Sequence, residues 1–112
     1  MESRSLSATL TFHEVARLDD LDPDYPLCVF IGDHEIALFL FDGQVYATDN
    51  ICTHAHASLV DGVVDGDTIE CPLHGACFNF RTGAALTDPA TIDLEIYPTR
   101  VEDGKVLVGF PE

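Results

Sequence analysis

The chain has no tryptophan, and its 112 residues include only five Lys or Arg against twenty Asp or Glu. The formal net charge of −15 makes nucleic acid an unfit partner, because binding it takes clustered cations that displace counterions from phosphates. An anionic membrane surface is excluded on the same ground. The longest apolar runs, Leu27–Ile31 and Ile36–Phe41, fall far short of the roughly 20 residues that span a bilayer. The opening MESRSLSATLTF lacks a charged segment followed by an apolar one, so no export signal is read there and a cytoplasmic protein is expected. There is no GxGxxG fingerprint, no internal repeat and no low-complexity run. A flavin or nicotinamide domain is therefore not expected.

What is present is enough apolar material for one core. Hydrophobic residues make up 46% of the chain, and a length of this order suits a single domain, here 1–112. The pattern is one of short strands. Leu27–Ile31 and Glu35–Phe41 flank a Gly32-Asp33-His34 turn, and Asp42-Gly43 separates the second from Gln44–Thr48. Asp103-Gly104 repeats that hairpin signal between Arg100–Glu102 and Lys105–Gly109. Further strands are expected at Leu10–Phe12, Thr68–Glu70, Phe78–Phe80 and Ile92–Tyr97. No segment sustains helical periodicity over about 12 residues or more, His13–Leu18 being the one place for a short turn of helix. The expected fold class is all-β, a small sandwich or barrel. Residues 50–90, rich in Gly, Asp, Cys and His, break the strand pattern and read as functional loops.

Within those loops stand Cys52-Thr53-His54 and, sixteen residues on, Cys71-Pro72-Leu73-His74. Two thiolates and two imidazoles suit either zinc or an iron–sulfur centre. Structural zinc sites usually pair like ligands on each knuckle. Here each loop mixes Cys with His, which suits a binuclear cluster with both cysteines on one iron and both histidines on the other.

These two boxes, CTHAHA at 52–57 and CPLHGACF at 71–78, resemble those of Rieske ferredoxins, the electron carriers of bacterial ring-hydroxylating dioxygenase systems. The likeness extends to FDGQVYATDNIC before the first box, and to FRTGAAL and YPTRVEDGKVLV after the second. It implies a β-sandwich with a cluster-binding subdomain of loops at one tip and one Rieske-type 2Fe–2S cluster. Cys52 and Cys71 would hold the inner iron, His54 and His74 the outer one. It also implies a ferredoxin filled by a flavin-dependent, NAD(P)H-oxidising ferredoxin reductase and drained by a terminal ring-hydroxylating oxygenase. The 112 residues leave no room for a flavin domain or an oxygenase's catalytic domain, so a carrier and not a catalyst is expected, as a monomer. Asp88-Pro89-Ala90 falls where the family has a third loop over the cluster. Two other functions fit the same residues, the small Rieske subunit of a nitrite reductase-like oxidoreductase and a zinc-binding interaction module.

Replacing two thiolates by neutral imidazoles removes two negative charges from the centre and raises its reduction potential. The respiratory and photosynthetic Rieske branch, which this chain also resembles in its boxes, adds a disulfide between the loops. It also carries two hydroxyl donors after the second histidine. The disulfide positions are Ala57 and Leu73 here, and the donor positions are Ala76 and Phe78. His56 is expected to rim the site, His13 and His34 to lie at the surface. Cys28 is read as a small core hydrophobe and Cys77 as a structural thiol near the cluster.

Overall fold

The computed structural model describes residues 9–53, 57–73, 75–87 and 92–111. Among these residues ten strands follow in order: β1 (Leu10–Arg17), β2 (Leu27–Ile31), β3 (His34–Phe41), β4 (Gln44–Asp49), β5 (Val63–Asp65), β6 (Thr68–Glu70), β7 (Cys77–Asn79), β8 (Ile96–Tyr97), β9 (Thr99–Glu102) and β10 (Lys105–Pro111). Only single 3-10 turns, Leu18–Asp20 and Leu59–Asp61, interrupt them among the described residues. The all-β fold expected from the sequence is what forms.

Three antiparallel sheets assemble from these strands, ordered β1-β10-β9, β2-β3-β4-β8 and β5-β6-β7. Asp42 and Gly43 (φ 55° and 78°) and Asp103 and Gly104 (φ 54° and 76°) have the two positive φ angles that a type I′ turn needs, so both Asp-Gly pairs make tight hairpins. Gly32 (φ 61°) and Gly66 (φ 61°) open the turns before β3 and β6. The first of these is two residues long, and His34 already pairs with Ile31. Gly66-Asp67 repeats the Gly32-Asp33 construction and brings the expected strand Thr68–Glu70 against Val63–Asp65, which sequence patterning did not yield.

β3 explains the layering. Its Ile36-Ala37-Leu38-Phe39 run is buried throughout, because both faces are covered. Ile36 and Leu38 join Val29, Val45, Ala47, Val106 and Val108 in an aliphatic core against the sheet of β1, β9 and β10. Ala37 and Phe39 face the other way, into a core with Leu59, Ile69, Phe78, Phe80, Leu94, Cys52 and Cys71. Phe39 and Phe80 stack there at 4.3 Å, with 3° between ring planes.

The expected helical turn at His13–Leu18 is overturned. His13–Arg17 continue β1 against β10, with a bulge between Glu14 and Ala16. The bulge lets the adjacent Val15 and Ala16 both pack on the aliphatic core, which strict alternation forbids and which imitates a helical spacing. Ile92–Tyr97 also shortens to the two residues of β8.

Candidate metal centre

β4 ends at Asp49, and Asn50 and Ile51 lead the chain to Cys52. Ile51 forms an isolated bridge with Ser58, and the Cys52 N–H donates to the Ala57 carbonyl at 2.9 Å. The second loop repeats this closure on another support. Cys71 follows β6 directly, and its N–H donates to the Ala76 carbonyl at 2.7 Å. In both cases the cysteine is tied to the fifth residue after it. Gly75 takes φ 71°, a left-handed conformation that a side chain at that position would resist.

The two cysteines converge. Cys52 is 4% exposed and Cys71 1%, and their thiols lie within hydrogen-bonding reach of each other. Burial pushes the Cys71 thiol up to about 11, with a smaller upward contribution from the neighbouring Cys52 and against a lowering backbone hydrogen bond from Leu73. Metal binding takes the thiolate, so loading this pair must release protons. None of the four cysteines is in a disulfide. Ala57, Ala76 and Phe78 are buried in the same core as the two cysteines, so three of the four positions that lack a hydroxyl or a bridging sulfur lie in the thiol-bearing interior. Leu73, by contrast, is 45% exposed.

His54 and His74, the two imidazoles of the expected set, lie outside the described residues, as do His56 and Asp88-Pro89-Ala90. The chain on either side of 88–91 is tied to both boxes. Cys77 N–H donates to Thr87 Oγ1 at 2.9 Å, Leu86 N–H to the Cys77 carbonyl at 2.8 Å, and Thr53 Oγ1 to the Ile92 carbonyl at 2.7 Å. Cys77 is half-buried at the start of β7, its Sγ 3.6 Å from the Gly75 carbonyl. Cys28 is less of a core residue than expected: it is half-buried, with Sγ 3.9 Å from Glu35 Oε1. His34 is at the surface yet engaged, 2.6 Å from Asp49 Oδ1 and 3.1 Å from the Tyr97 hydroxyl.

Two buried thiols on twin loops, each loop carrying one further imidazole in sequence, fit a binuclear iron–sulfur centre better than a zinc knuckle. The sequence profile of the Rieske [2Fe-2S] domain matches residues 11–98, and the chain belongs to that family. Its cofactor is one Rieske-type 2Fe–2S cluster.

Within the family, its more similar relatives include ferredoxin components of dioxygenase systems. The chain is 41% identical over 100 residues to the ferredoxin component of the naphthalene 1,2-dioxygenase/salicylate 5-hydroxylase systems of Ralstonia sp., covering 89% of this chain and 96% of the relative. The Sphingomonas yanoikuyae B1 ferredoxin superposes with a TM-score of 0.86 at 37% identity, over 90% of this chain and all of the other. A chain from the complex of reduced oxygenase and oxidised ferredoxin in carbazole 1,9a-dioxygenase gives 0.81 at 38% identity, over 86% of this chain and 99% of that one. The putative NADH-dependent nitrite reductase small subunit of Mycobacterium tuberculosis is more distant in sequence, with 26% identity, a TM-score of 0.80, and coverage of 90% and 96%.

Proposed function

We propose that this chain is the ferredoxin component of an aromatic-ring dioxygenase system, holding its cluster on Cys52, His54, Cys71 and His74. The bound cluster supplies one-electron chemistry. The protein seals the thiol side in an aromatic core and closes both loops with matched backbone bonds. The observation that carries the reading is that twin closure, Cys52 to Ala57 and Cys71 to Ala76, around a buried thiol pair. The electron would come from a flavin-dependent reductase and leave to a terminal oxygenase; similarity to a ferredoxin found in complex with its oxygenase supports the second half. A place in the cytoplasm, beside an NAD(P)H-linked reductase, belongs to the same proposal.

Reconstitution with candidate reductases and ring-hydroxylating oxygenases tests this, with turnover expected to depend on added ferredoxin. Tight co-purification with a large sirohaem protein would favour the nitrite reductase reading instead. The charge adds a prediction. Asp61, Asp65 and Glu70, between the boxes, are exposed, whereas Asp67 is engaged by Asn79 at 3.0 Å and Arg81 at 3.4 Å. Exposed charges are screened beyond a Debye length of about 8 Å at physiological salt, so partner reduction should slow as salt rises. Rates that stay flat would reduce the acidity to a matter of solubility.

A further inference from the structure

Asn50 is the one buried polar residue beside the cluster loops among those described, 0% exposed and two residues before Cys52. All of its polar atoms are engaged. Nδ2 donates to Glu35 Oε1 at 3.0 Å and to Ser58 Oγ at 2.7 Å. Oδ1 accepts from the Val60 N–H at 3.1 Å. Its backbone N–H donates to the Glu35 carbonyl at 3.1 Å, and its carbonyl accepts from the Leu59 N–H at 2.7 Å. One side chain thus joins the chain entering the Cys52 loop, the chain leaving it, and β3 beneath.

The Cys71 loop is fixed differently. Its ends belong to a ladder, Thr68 with Asn79, Ile69 with Phe78 and Glu70 with Cys77. The Cys52 loop has a single bridge, Ile51 with Ser58, where the other has three paired residues. We propose that Asn50 is a positioning residue for the cluster, fixing the ends of the Cys52 loop as the β6–β7 ladder fixes those of the Cys71 loop. The inference rests on Cys52 being a cluster ligand.

The chemistry requires an amide at this place. Glu35 is an acceptor only, so its partner must donate, while the Val60 N–H needs an acceptor. Asp at position 50 would set a second carboxylate against Glu35. The other neighbour of Glu35 Oε1 is the Cys28 thiol, which burial and then the Glu35 charge itself hold up in its protonated form. No cation is there to relieve a like-charge pair among the described contacts. An apolar residue would leave the Val60 N–H without its side-chain acceptor, the costly case for a buried donor.

The test compares holoprotein of the wild type, Asn50→Asp, and the swap Asn50→Asp with Glu35→Gln. The swap keeps the total charge and reverses donor and acceptor. Thr99→Ala, which removes the 2.8 Å bond to the Val45 carbonyl that joins β9 to β4, reports loss of general stability. The readouts are bleaching of visible absorbance under a chelator, EPR line shape of the reduced protein, and urea unfolding. Asn50→Asp should bleach about tenfold faster than wild type, in the range that outer partners of metal ligands command, with broadened EPR lines. The swap should return both toward wild type, and Thr99→Ala should lower stability while moving neither. Wild-type bleaching and EPR in Asn50→Asp, or a swap no better than the single change, would overturn the proposal. So would Thr99→Ala reproducing the defect. If Asn50→Asp does not fold, Ser58→Ala serves, with a smaller acceleration expected and an unchanged rate and EPR signal overturning it. Wild-type protein lacking iron and acid-labile sulfide would instead sink the cluster assignment itself.

Discussion

The two faces of β3 look onto two different kinds of interior. On one side Ile36 and Leu38 meet Val29, Val45, Ala47, Val106 and Val108, an aliphatic core closed by long strand ladders. On the other side Ala37 and Phe39 meet aromatic rings and two thiols, closed by short strands and loop hydrogen bonds. The first core contains nothing that reacts, and its ladders satisfy the backbone without help. The second must leave room for a cofactor and hold loops that no long ladder reaches. Rigidity comes to the reactive side from β3, which belongs to both.

The largest expected effect separates the two halves outright. His54→Ala or His74→Ala should lose the cluster while the aliphatic half stays folded, and His56→Ala should keep it. Iron and sulfide analysis beside far-ultraviolet circular dichroism decides. Retention in His74→Ala, or loss in His56→Ala, would mean that the ligand set is misassigned.

Next come two neighbours on one strand. Leu38→Ala should cost about 2–5 kcal/mol and Phe39→Ala about 3–5 kcal/mol of folding stability, as buried truncations do. Their consequences for the cofactor should differ, because Phe39 packs in the thiol-bearing core and Leu38 does not. Below its melting temperature Leu38→Ala should bleach at the wild-type rate and Phe39→Ala faster. Equal bleaching would erase the distinction between the cores.

A subtler change tunes the reactive side alone. Ala76→Ser or Phe78→Tyr offers a hydroxyl beside the thiol pair, and a donor to sulfur favours the reduced, more negative centre. Each should raise the potential by on the order of 40 mV, the equivalent of about 1 kcal/mol for one hydrogen bond. The wild type should sit in the low part of the Rieske range of about −150 to +300 mV. A mediated redox titration that finds it well above +150 mV would contradict the argument from missing donors.

The smallest effect belongs to the other half. Tyr97 donates to Asp49 Oδ1 at 2.6 Å, and burial first, then that carboxylate, raises its hydroxyl well above the ordinary 10. The folded protein therefore keeps a proton that the unfolded chain gives up. Stability from this group is full below pH 10 and declines as pH rises from there toward the folded-state value. Tyr97→Phe should flatten that alkaline decline in urea midpoints, leaving the cluster untouched. An equally steep decline in the variant would assign it to other groups.

The clustered Cys and His boxes were legible in the sequence, because ligand chemistry depends on residue type and short spacing. The Asp42-Gly43 and Asp103-Gly104 hairpins were legible too, since their positive φ angles are a local demand. Other features needed partners far along the chain. Val15 and Ala16 suggest a helix until β10 imposes a bulged ladder. Asn50 reads as an ordinary polar residue until Glu35 and the 58–60 segment close over it. Gly62, which has an ordinary negative φ, owes its place to space alone: a Cβ there would lie 1.9 Å from the Glu70 carbonyl oxygen, just before Cys71. Sequence by itself determined which atoms are available to hold the cluster. Only the tertiary structure decided how the two loops are braced, because burial and hydrogen-bond satisfaction are set by neighbours that the local sequence does not contain.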